Sequence, residues 1–178
     1  NIWDTLEDKP AHQKAWAGDS LEKNRDDITI NIPRRLGCNT FIDYEIGRVL
    51  EAVNENAPET MVIYTSDHGE ALQNHCLNSK GAAMYEEITH IPFLVRWPGV
   101  TPENAVCPHP ISHIDLVPTI LDAAGIEVPN PVQGISLTPT FKSPDIRQND
   151  EIFMEFHRYE IDHDGFGGFQ PIRCVYDG

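Results

Sequence analysis

The spacing of apolar positions changes several times along this chain of 178 residues. Residues 1–30 have no regular period, and Trp3, Leu6, Trp16 and Leu21 stand isolated among charges. Such a pattern predicts an irregular, partly helical surface segment. Beyond Pro33, Ile42, Ile46, Val49, Leu50 and Val53 recur at helical spacing, with Arg48, Glu51 and Glu55 opposite. This predicts an amphipathic helix over 36–54, ending near Asn54–Pro58. Gly47 inside it costs about 1 kcal/mol against alanine and leaves room for another element to pack close.

Two continuous β-prone runs follow. Thr60–Ser66 reads Thr-Met-Val-Ile-Tyr-Thr-Ser, and Pro92–Trp97 reads Pro-Phe-Leu-Val-Arg-Trp. Runs that do not alternate suit strands buried on both faces, as in the parallel sheets of α/β folds. Asp115 is placed to cap a short helix over 115–124, with Pro118 in its first turn and Gly125 as its stop. The stretch from Pro92 to Pro139 holds nine of the fourteen prolines and reads as ordered loop and turn, and 142–150 as a linker. Strands Ile152–Phe156 and Ile172–Tyr176 open a smaller antiparallel unit, with Phe153, Phe156, Tyr159, Phe166 and Phe169 read as core. Helix, strand, loop, strand, helix is an α/β alternation.

Composition narrows the function classes. Thirteen basic against 28 acidic residues give a net charge of −15. So acidic a surface repels phosphate backbones, which argues against nucleic-acid binding. No run of 18 apolar residues offers a membrane span. Cys38, Cys76, Cys107 and Cys174 form no C-x-x-C, which disfavours a zinc ribbon, and they read as free, mostly buried thiols. Asn1 and Gly178 both look like cut ends, so a piece of a longer protein is expected.

Candidate chemistry concentrates in Ser66-Asp67-His68-Gly69-Glu70 and the following residues to Lys80-Gly81. Ligands of open α/β sheets bind beyond the carboxyl ends of strands. Asp67 and His68 stand at such an end, and both residue types bind divalent metals. Gly69 is expected to let the backbone turn sharply away. Lys80, thirteen residues on, can return over the same edge. A metal with a lysine suits an anionic substrate, because the metal polarises one oxygen and the ammonium neutralises another. His75 is a further candidate for substrate contact. His109 and His113 read as capping or packing residues. Asp162-His163-Asp164-Gly165 starts like a calcium loop, but its glycine comes too early and the distal Glu is missing. Gly165-Phe166-Gly167-Gly168 reads as a flexible loop.

The whole string resembles the sulfatase family of the alkaline phosphatase superfamily. It runs from Tyr64-Thr65-Ser66-Asp67-His68-Gly69-Glu70 through His75, Lys80-Gly81 and Met84-Tyr85-Glu86-Glu87 to Ile91-Pro92-Phe93-Leu94-Val95-Arg96-Trp97-Pro98-Gly99. Ser112-His113-Ile114-Asp115-Leu116-Val117-Pro118-Thr119-Ile120-Leu121 looks like the family's next block, and Asp43-Tyr44-Glu45-Ile46-Gly47-Arg48-Val49-Leu50 like the helix before the strand. The resemblance implies an alkaline phosphatase-like fold: a mixed, mainly parallel sheet flanked by helices. Residues 1–141 would be the carboxyl-terminal half of the catalytic domain, and 142–178 a linker and the start of a small subdomain. It implies Asp67 and His68 as metal ligands and Lys80 as the contact to a sulfate oxygen. Calcium is the expected metal, as in most of the family. His68 stands where many sulfatases carry Asn, and an imidazole nitrogen also admits manganese or zinc. His90 stands where the family commonly has Arg.

The family's nucleophile is a formylglycine made from Cys or Ser in Cys/Ser-x-Pro/Ala-x-Arg. No cysteine or serine of this chain has that setting, and the paired aspartates of the family's first strand are missing too. The expected function is therefore a fragment of a sulfuric ester hydrolase, inactive alone, acting in its parent on sulfate monoesters. The alternatives are a phosphonate or phosphate ester hydrolase of the same superfamily and a non-catalytic sulfatase-like binding module. Periplasmic, lysosomal or extracellular location follows only by family analogy.

Overall fold

The helical period beyond Pro33 builds a longer helix than its spacing implies. In a computed structural model, which describes residues 2–21, 32–159 and 169–178, it spans Ile32–Asn56. Pro33 is tolerated in its first turn, where an N–H would lack a partner anyway. The Asn56 amide donates to Ala52 O at its far end. With the short helix Ala11–Ala17 as α1, this helix is α2. There follow β1 (Val62–Thr65), α3 (Glu86–Thr89), β2 (Phe93–Arg96), α4 (Leu116–Ala123), α5 (Thr138–Lys142), β3 (Ile152–Tyr159) and β4 (Phe169–Tyr176). β1 pairs with β2, and β3 with β4. The five expected segments up to β3 thus form, each shifted by a few residues, as does the last strand.

The chain divides into two compact units that alternate along it. The first holds residues 1–58, 64–93 and 155–172; the second holds 59–63, 94–154 and 173–178. In the first, the expectation for residues 1–30 is corrected. Leu6 and Ala17 are buried with Ala71, Cys76, Leu77, Ala83 and Ile88, and Trp16, Leu21 and Tyr85 pack against that cluster. Within the described residues 2–21 the segment therefore lends Leu6, Gln13 and Ala17 to the core, while Trp3 stays exposed. Its apolar residues have no period because a short helix and irregular turns, not one long element, carry them.

Other expectations also change. Tyr64 and Leu94 are exposed, so the β1–β2 pair is not covered on both faces among the described residues. Phe153 is exposed as well. A Cβ at Gly47 would meet nothing within 4 Å, so no described element packs against it. The four cysteines are free as expected, but only Cys76 is buried. α5 forms where only loop was expected, because Pro139 occupies a first-turn position that proline tolerates. The acidic 162–164 string and the glycine-rich 165–168 string lie outside the described residues.

In the second unit, Asp115 is buried and does more than open α4. Its carboxylate accepts the Ser112 N–H at 3.1 Å, the Ile135 N–H at 3.0 Å and the Asn149 amide at 2.9 Å. Ser112 and Asp115 form a reciprocal capping box, so Asp115 is the inner partner rather than the cap. Thr119, fully buried, donates to Asp115 O and accepts the Leu137 N–H. Gly125 ends α4 as expected, at φ +70°, with its N–H on Asp122 O. His109 holds Asp145 O at 3.0 Å.

Candidate metal and anion site

The strand end of β1 presents its polar residues in a tight local network. The Ser66 hydroxyl donates to His68 O at 2.9 Å, and the His68 N–H donates to Asp67 Oδ1 at 2.9 Å. That leaves Asp67 Oδ2, which lies 3.2 Å from His68 Nε2. His68 Nδ1 is 2.8 Å from Gly69 O. A carbonyl only accepts, so Nδ1 carries a proton, and Nε2 is the nitrogen that faces Asp67. Lys80 Nζ stands 2.6 Å from that nitrogen and donates to it.

Asp67, His68 and Lys80 are thus brought together at the end of β1. A carboxylate oxygen and an imidazole nitrogen converge at 3.2 Å, with the Lys80 ammonium beside them. The donor set suits a divalent metal: a hard oxygen for calcium, and a nitrogen that also admits manganese or zinc. Backbone orientation of His68 through Nδ1 is how ligating imidazoles are commonly held. Among the described residues no group of three or more His, Cys, Asp or Glu could complete such a centre. Partial desolvation pushes the Asp67 carboxyl upward. The His68 N–H, the His68 ring and the Lys80 charge outweigh it, so it titrates below the ordinary aspartate value.

Gly69 needs its small size for a different reason from the one expected. It is not among the residues with positive φ. A Cβ there would lie 1.9 Å from Glu87 O, because the backbone of α3 passes directly against it. Gly69 N–H donates to Ile88 O at 2.8 Å and Glu70 N–H to Glu87 O at 2.9 Å.

His75 lies elsewhere in the same loop. Its Nδ1 is 2.7 Å from Asp4 Oδ2, its Nε2 is 3.7 Å from Glu87 Oε2, and its ring stacks on Tyr85 at 3.8 Å. The Tyr85 hydroxyl donates to Gln13 Oε1 at 2.6 Å. The His75 hydrogen bond, then the Leu6 N–H, hold the Asp4 carboxyl below its usual range, while burial pushes the Tyr85 hydroxyl up. The sequence reading missed Asp4 and Gln13. Only the isolated apolar residues beside them hinted that this segment is packed. His90, exposed, ends α3 with its N–H on Glu86 O.

Comparison with known proteins gives the family. The family model described as Sulfatase matches residues 6–126. The uncharacterized sulfatase YidJ of Escherichia coli (strain K12) is 43% identical over 172 residues, 96% of this chain and 33% of that protein. A protein solved in complex with its substrate, D-glucosamine-2-N,6-O-disulfate, superposes with a TM-score of 0.68 at 26% identity, covering 76% of this chain and 28% of that one. A phosphonate monoester hydrolase from Silicibacter pomeroyi gives 0.67 at 32% identity, covering 76% and 29%. The chain therefore spans about a third of the length of such relatives. With the strand-end Asp-His, the returning lysine and the family match falling on the same residues, the chain belongs to the sulfatase family of the alkaline phosphatase superfamily.

Proposed function

We propose that this chain is the carboxyl-terminal part of the catalytic domain of a sulfuric ester hydrolase that cleaves sulfate monoesters. The observation that carries the reading is the convergence of Asp67 Oδ2, His68 Nε2 and Lys80 Nζ at the end of β1. β1 and β2 would belong to a larger, mainly parallel sheet, with residues 1–141 in the catalytic domain and 142–178 beginning a smaller one. Asp67 and His68 would hold a divalent metal, calcium first. Such an ion supplies positive charge that polarises a sulfate oxygen. Lys80 binds another oxygen of the group and offsets the charge that develops as the ester bond breaks. The nucleophile, a formylglycine by the family's route, would come from outside these residues, since no Cys or Ser here has the required setting.

One observation favours a second reading. The phosphonate monoester hydrolase superposes as well as the sulfated-sugar complex does. Lysine and metal serve either anion. The test is hydrolysis of 4-nitrophenyl sulfate and 4-nitrophenyl phenylphosphonate by the full-length protein, with calcium and with manganese. Preference for the sulfate supports the first reading, preference for the phosphonate the second, and the 178-residue chain alone is expected to hydrolyse neither.

A further inference from the structure

We propose that Asp4 and His75 are positioning residues for Lys80, a role that rests on the sulfatase reading of Lys80. The residues from Gly69 to Gly81 leave β1 and return as a closed loop. Ala71 N–H donates to Ser79 O at 2.9 Å and Gln73 N–H to Leu77 O at 2.9 Å, so the loop closes one residue before Lys80. Inside it, Leu72, Gln73, His75, Cys76 and Ser79 all have positive φ, between 51° and 71°. L-residues disfavour that region, so the loop does not hold its shape by local preference.

The hold comes from the opening segment of the chain. Asp4 Oδ2 takes the His75 ring at 2.7 Å, while Asp4 Oδ1 is fixed by the Leu6 N–H at 2.8 Å. Asp4 O accepts from Cys76 Sγ at 3.2 Å. Both side chains are less than a fifth exposed, which shields the bond from water. Tyr85 backs the His75 ring, and Glu87 lies at its other edge. Just beyond Lys80, the Trp16 indole packs over Gly81, and His12 Nε2 lies 2.9 Å from Ala82 O. Lys80 is thus bracketed: the Asp4–His75 bond fixes the loop before it, and α1 fixes the chain after it. His75 presents its nitrogens to Asp4 and Glu87, and it acts on the anion through the loop that delivers the ammonium.

Two measurements test this. In the full-length protein, Asp4→Asn and His75→Phe should each lower kcat on the sulfate ester about tenfold, because sub-ångström misplacement of a charge is costly. In a Lys80→Ala background neither should lower it further, since residues acting through one group are not additive. Effects that multiply with Lys80→Ala would overturn the proposal. In the full-length protein, Asp4→Asn should speed amide exchange of Ala71, Gln73 and Leu77, whose N–H groups are bonded within the loop, about tenfold or more while the β1 and β2 amides keep their protection. Unchanged exchange at those three amides would overturn it too. A full-length protein inactive on every ester would refute the function and leave the exchange result to decide the positioning.

Discussion

Lys80 follows His68 by twelve residues, yet its ammonium ends 2.6 Å from that ring. The glycine that starts the loop is constrained by a different neighbour. Gly69 lets the backbone of α3 pass where any side chain would collide. Gly69→Ala should therefore destabilise the chain by about 2 kcal/mol or more, a size usual for overpacking that the backbone must absorb. Urea unfolding measures this, and a loss below a few tenths would contradict the packing. Asp67, His68 and Lys80 were legible in the sequence because a β-prone run ending in Asp-His announces a strand end, and the family string fixes the lysine. Asp4 was not legible. It is an acidic residue in a segment without period, 71 positions from the histidine it holds, and only folding brings the two together.

At the scale of elements, the strong periods were readable and the irregular links were not. α2, β1, β2 and α4 follow from helical spacing and β-branched runs. α1, α3 and α5 are four to seven residues long, too short for a period to declare itself. The contact between the opening segment and the Lys80 loop has an electrostatic signature. The folded protein holds the Asp4 carboxyl below 3.8, its ordinary value, chiefly through the His75 hydrogen bond. An unfolded chain takes up that proton first as pH falls. Stability from this contact is thus complete above the ordinary value and drains away as pH falls through the lower folded-state value. Urea midpoints measured from pH 6 downward should fall more steeply below pH 4 for the wild type than for Asp4→Asn, which has no proton to take up there. Parallel curves would contradict the account.

For the whole molecule, exposure carries the message. On α2, Leu36, Phe41, Tyr44 and Val49 are each more than half exposed, while Ile46, Leu50 and Val53 are half-buried. Apolar residues on two sides suit a helix covered on both, and the chain spans only a third of the relative YidJ. Among the described residues no helix is long and apolar enough to cross a membrane. The central claim is that Lys80 faces the transferring group at a metal-bearing strand end. Steady-state kinetics of 4-nitrophenyl sulfate hydrolysis by the full-length protein, wild type against Lys80→Ala, test it most directly. A charge that matters mainly in the transition state should cost about 10²–10³ in kcat with a smaller change in KM. Wild-type rates in Lys80→Ala would show the lysine to be a solvated surface charge and contradict the account.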